Sequence, residues 1–107
     1  MSTFDKRKDA YESKFARDEE LRFKATARRN KLLGLWAAEK LGKSGDEADA
    51  YAREVIRSDM EEAGDEDVFR KVKNDLDAAN TGVSEHQIRR TMEEKMGEAV
   101  AQIESEG

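Results

Sequence analysis

Apolar side chains recur at helical spacing in several stretches of the chain. Ala48, Tyr51, Ala52, Val55, Ile56 and Met60 follow i, i+3, i+4 steps. Val68, Phe69, Val72, Leu76 and Ala79 do the same, as do Ile88, Met92, Met96, Ala99, Val100 and Ile103. Each pattern predicts a helix that buries one side. A further helix comes first and changes character midway. From Leu21 onward it is rich in large apolar groups: Leu21, Phe23, Leu32, Leu33, Leu35, Trp36 and Leu41, with Ala25 and Ala27. Before Leu21 its stripe thins to Phe4, Tyr11 and Phe15 among charged neighbours.

Three breaks separate these segments. In LGKSGDE, Gly42 suits a left-handed helix terminus, and Ser44 with Glu47 has the spacing of a capping box. In EAGDEDVF, Gly64 ends one helix and Asp65 caps the next, with Glu66 and Asp67 in its first turn. In ANTGVSEHQ, Asn80 and Gly82 close a helix, Ser84 and Gln87 form another box, and Val83 is placed as a staple. The expected helices therefore cover residues 4–41, 46–62, 66–79 and 85–104. Short connections favour antiparallel neighbours, so the predicted fold is all-α, a four-helix bundle. The expected division is an N-terminal arm over residues 1–19 and a helical bundle over residues 20–107.

Composition sharpens this picture. There is no proline to break a helix, and the 14 alanines with abundant Glu, Lys and Arg favour one. Charged residues make up 42% of the chain and apolar residues 36%, against roughly 25% charged in an ordinary domain. The arm's three anchors supply about 1.5–3 kcal/mol each when fully buried. Ordering nearly twenty residues costs about 1–2 kcal/mol per residue. The first turns are therefore expected to be frayed in the free protein and to complete their helix on binding. Periodicity alone leaves a second reading open, in which Phe4, Tyr11 and Phe15 extend the bundle's own core.

Charge is unevenly distributed. Residues 1–31 carry ten basic and six acidic side chains, whereas residues 44–69 carry two basic and ten acidic. A mildly basic arm on an acidic body could fold back or reach an acidic groove on a partner. The net charge of −5 argues against general nucleic-acid binding. No apolar run approaches the roughly 18 residues of a membrane span, and Asp5, Asp9 and Glu12 interrupt any basic membrane-facing stripe. With no cysteine and no apolar signal-peptide core, a soluble intracellular protein is the expectation.

Motifs for catalysis fail one by one. The single histidine, His86, falls in a first helical turn and is expected to be solvated. DMEEAGDEDVFR places Gly64 like the sixth position of a calcium loop, but Arg70 stands where a bidentate Glu is needed. GKS at residues 42–44 lacks the first glycine of a phosphate loop, Ala37 standing in its place, and no strand precedes it. ARRNK, residues 27–31, is expected to be a solvated basic edge. No enzyme is expected, and no cofactor or metal.

The stretch FDKRKDAYESKFARDEELRFKATARRNKLLGLWAAEKLGKSGDEADAYA resembles the ζ subunit of alphaproteobacterial F-type ATP synthases. GDEDVFRKV and VSEHQIRRTMEEKM are similar to the same family. The resemblance covers nearly the whole chain. It implies an inhibitor of ATP hydrolysis whose N-terminal arm enters a catalytic α/β interface of the synthase head. There the arm reaches the γ rotor, forms a helix and blocks hydrolytic rotation, a role analogous to that of the mitochondrial inhibitor protein. The implied partners are the α, β and γ subunits, met from the cytoplasmic side of the membrane-bound enzyme by a protein that is monomeric when free. Under this resemblance Phe4, Tyr11 and Phe15 are the expected anchors, and Lys8, Lys14 and Arg17 meet acidic groups along the groove. Weak ATP or ADP binding, linked to the family, would fall on Lys43 and Ser44. The competing reading is a helical adaptor whose first helix completes its own bundle.

Overall fold

The computed structural model describes residues 19–59 and 65–106. Four helices make up almost all of them: α1 (Glu19–Lys40), α2 (Gly45–Ser58), α3 (Glu66–Ala78) and α4 (Glu85–Glu106). No strand occurs among the described residues. The second helix ends at Ser58 with Asp59 at its C-cap, short of the expected residue 62, whereas the expected start of the first helix at residue 4 and the burial of Met60 fall outside the described residues.

The helix ends follow local chemistry. After α1, Gly42 takes a left-handed φ of +79°. Its N–H donates to the Glu39 carbonyl at 3.1 Å, and that of Lys43 donates to the Ala38 carbonyl at 2.8 Å. These two bonds form a Schellman terminus. The end of α3 repeats the motif with Asn80 at a φ of +54° in the glycine's role. There Asn80 donates to the Asp77 carbonyl at 3.0 Å and Thr81 to the Leu76 carbonyl at 3.2 Å. Ser84 caps α4, its Oγ accepting the Gln87 N–H at 3.0 Å, and Val83 packs on the core as a staple. The other two caps depart from expectation. Neither Ser44 nor Asp65 makes a side-chain cap bond, although each stands at an N-cap.

α1 is the central element, packing against α2, α3 and α4. Its buried residues lie in two i, i+4 rows: Ala25, Arg29, Leu33 and Ala37, and beside them Asn30, Gly34 and Ala38. The principal core joins Leu33 and Ala37 to Tyr51, Val55, Val68, Phe69, Val72, Leu76, Ile88 and Met92. A smaller cluster joins Ala25 to Ile103, with Leu21, Met96 and Val100 against it. Two expected core residues are exposed, and Ala27, Leu32, Leu35 and Ile56 are only half-buried, outside both clusters. Phe23 is 78% exposed, and Ala79, at the C-cap of α3, is exposed. Phe23 stands two residues from both Leu21 and Ala25, and residues two apart do not share a helix face.

Gly34 marks the crossing of α1 and α2. A Cβ there would stand 2.7 Å from the Ala52 Cα and 3.1 Å from its Cβ. Gly34→Ala gains about 1 kcal/mol of helix propensity, but forcing the helices apart costs about 1–3 kcal/mol. The expected net result is a stability loss of up to about 2 kcal/mol, read as a lower urea midpoint. An unchanged midpoint would show that the two helices can part without loss.

Candidate functional site

The end of the bundle where residues 1–18 lead into α1 is assembled from α1 and the last turns of α4, which run antiparallel. Leu21 and Ala25 meet Ile103 and Val100. Arg28 reinforces the contact: its guanidinium donates to Gln102 Oε1 at 2.9 Å and to the two Glu106 oxygens at 2.7 and 3.1 Å. The guanidinium holds the Glu106 carboxyl below its usual range. This fork is solvent-exposed and adds orientation more than stability. On the opposite side of the same turns, Phe23 projects outward.

One turn deeper, ARRNK departs from its expectation as a solvated edge. Arg29 is 2% exposed and Asn30 1%. The Arg29 Nε donates to Asn30 Oδ1 at 2.7 Å, and its terminal nitrogen pairs with Asp65 Oδ1 at 2.7 Å. Asn30 Nδ2 then donates to Asp59 Oδ2 at 3.1 Å. Two adjacent residues of α1 thus tie down both sides of the α2–α3 connection. This explains why Asp65 caps nothing: its carboxylate is engaged by the guanidinium. Burial raises the pKa of the Asp59 carboxyl, opposed by its bond from Asn30 and by the Arg29 charge. The Asp67 Oδ2 lies buried without a hydrogen-bond partner. Composition alone did not reveal this network. The i+4 row from Ala25 through Arg29 to Leu33 was the available signal.

The expected anchors Phe4, Tyr11 and Phe15 and the expected basic contacts Lys8, Lys14 and Arg17 lie outside the described residues. Lys43 and Ser44 sit in the α1–α2 turn, where the Lys43 N–H already serves the α1 terminus. His86 is exposed in the first turn of α4, as expected. Among the described residues no group of three or more His, Asp or Glu side chains could hold a metal ion. No helix among them is long and apolar enough to cross a membrane.

Comparison with known proteins adds to this geometry. No curated protein gives a match. A solved structure, determined by solution NMR, shares 56% sequence identity and superposes with a TM-score of 0.73, covering 81% of this chain and 99% of that one. A family model described as ATPase inhibitor subunit zeta matches residues 1–102, which takes in both the aromatic, charged lead segment and the bundle it enters. On a match of that extent, the chain belongs to the ATPase inhibitor subunit zeta family.

Proposed function

We propose that this protein restrains ATP hydrolysis by inserting its N-terminal arm, as a helix, into a catalytic α/β interface of an F-type ATP synthase head near the γ rotor. The family match carries the reading, because it begins at residue 1 and so includes the arm. Membership in an inhibitor family makes the role regulatory rather than catalytic. Helix-in-groove recognition draws its affinity from a few anchors at helical spacing. Phe4, Tyr11 and Phe15 supply such anchors, with Lys8, Lys14 and Arg17 facing acidic groups. The bundle follows as a stop too wide to enter. Binding takes place on the cytoplasmic side, by a protein that is monomeric when free. Lys43 and Ser44 offer at most a weak nucleotide contact.

Phe15→Ala tests the reading. Loss of one well-seated aromatic anchor removes on the order of 1–2 kcal/mol, or about tenfold in affinity. The concentration for half-inhibition of ATP hydrolysis by the synthase head should rise about tenfold, with the melting temperature unchanged. Unaltered inhibition together with a large fall in melting temperature would place Phe15 in the protein's own core.

A further inference from the structure

We infer that the clasp of Arg29 and Asn30 on the α2–α3 connection is proton-sensitive: it closes more tightly in weak acid, when Asp59 takes up a proton, and loosens as that carboxyl ionises. The device lies in the bundle and is independent of the arm and its host.

The geometry sets carboxylates against a scarcity of positive charge. α2 ends at Ser58 with Asp59 at its C-cap, and α3 begins at Glu66 behind Asp65. Both ends meet α1 at Arg29 and Asn30, which are 2% and 1% exposed. The Arg29 guanidinium donates to Asn30 Oδ1 and to Asp65 Oδ1, each at 2.7 Å. Asp59 is reached through Asn30 instead, at 3.1 Å. In the first turn of α3 the Asp67 side chain is 9% exposed, and its Oδ2 is buried without a hydrogen-bond partner. Its Oδ1 pairs at 3.4 Å with Arg70, which is mostly exposed. Arg89 of α4 is engaged by Glu66 at 3.2 Å and lies over the Phe69 ring. The half-buried Asp59 carboxyl therefore faces Arg29 and Asn30 of α1 and the Asp65 and Asp67 carboxylates at the start of α3.

A proton on Asp59 relieves this crowding and leaves the clasp intact. The Arg29 Nε–H turns the Asn30 oxygen toward itself, so the Asn30 amide nitrogen faces Asp59. A neutral carboxyl still accepts that bond through its carbonyl oxygen. Protonation removes both the desolvation of a buried charge and its repulsion from two like charges. Burial is the largest cause that holds the Asp59 pKa above its ordinary value, with Asp65 and Asp67 adding to it, against the Asn30 bond and the Arg29 charge. A carboxyl raised in this way contributes stability that is complete below the ordinary carboxylate range. That contribution is lost as pH rises through the folded-state midpoint. Each pH unit between the folded and unfolded midpoints is worth about tenfold in the folding equilibrium.

The test follows the Asp59 carboxyl carbon by NMR in the full chain, folded and in urea, with urea midpoints measured across the same pH range. The folded-state titration midpoint is expected above the one in urea. Asp59→Asn keeps the acceptor and removes the charge. It should raise the urea midpoint above wild type near pH 7, and the gap should narrow toward about pH 4, where the wild-type carboxyl is also largely neutral. Asp67→Asn removes a facing charge and should move the Asp59 titration to lower pH. An Asp59 carboxyl that titrates at or below its value in urea would overturn the inference, as would an Asp59→Asn gap that stays constant with pH. Should Asp59→Asn not fold, the wild-type titration decides alone.

Discussion

Deletion of residues 2–18 is expected to abolish inhibition of ATP hydrolysis while leaving the rest of the chain folded. Both described core clusters are built from residues at or beyond Leu21. The contact that fixes the start of α1, Arg28 with Gln102 and Glu106, also lies wholly within the retained chain. The melting temperature should therefore stay within about 5 °C, since a shift of 4–8 °C corresponds to roughly 1 kcal/mol in a domain of this size. The functional loss should be far larger. The three proposed aromatic anchors and the three proposed basic contacts leave together, and even about 1 kcal/mol from each anchor multiplies to more than a hundredfold in affinity. Circular dichroism and a hydrolysis assay on the same preparation read both outcomes. A truncated protein that inhibits as well as the intact chain would place the inhibitory surface on the bundle. A truncated protein that no longer melts cooperatively would instead make the first residues part of the fold.

The contrast between what periodicity shows and what it hides has a physical origin. Faces of α2, α3 and α4 were legible because their buried positions are apolar and their caps are Ser, Asn and Gly at standard offsets. Tyr51, Val55, Val72, Leu76, Ile88 and Met92 are all core, and Asn80 and Gly42 adopt the positive φ that their sequence contexts imply. α1 departs from expectation at three positions for one shared reason: position on the helix outweighs residue type. Phe23 is apolar but lies between two faces. Arg29 and Asn30 are polar but stand on buried rows. A charged residue is assigned to solvent by default because an unpaired buried charge is so unfavourable. That default fails when partners arrive from distant sequence, here Asp59 and Asp65, about thirty residues on. The candidate site was legible to a different degree. The proposed anchors at residues 4, 11 and 15 rest on spacing and on the family resemblance, and they lie outside the described residues.

The buried pair at Arg29 leads to a second large expected effect, this one on stability. Arg29→Ala should lower the unfolding free energy by about 2–4 kcal/mol. Breaking a fully buried ion pair by removing one partner costs about 3–5 kcal/mol, but the Asp65 side chain is 55% exposed, so its stranded charge returns to water and its share falls to about 1 kcal/mol. A second contribution is not recovered. Asn30 is 1% exposed, and its Oδ1 would lose the 2.7 Å bond from the guanidinium, a loss of about 1–3 kcal/mol for an orphaned buried acceptor. Asp59, Asp65 and Asp67 would meanwhile face one another without the central positive charge. A urea titration should show the midpoint falling with the slope nearly constant. Arg29→Lys separates the two contributions, because an ammonium keeps the charge for Asp65 but lacks the planar fork that also serves Asn30. It should recover only part of the loss. If Arg29→Ala instead costs less than about 1 kcal/mol, as an exposed surface pair would, the contact is peripheral and the α2–α3 connection is held to α1 by its apolar neighbours alone.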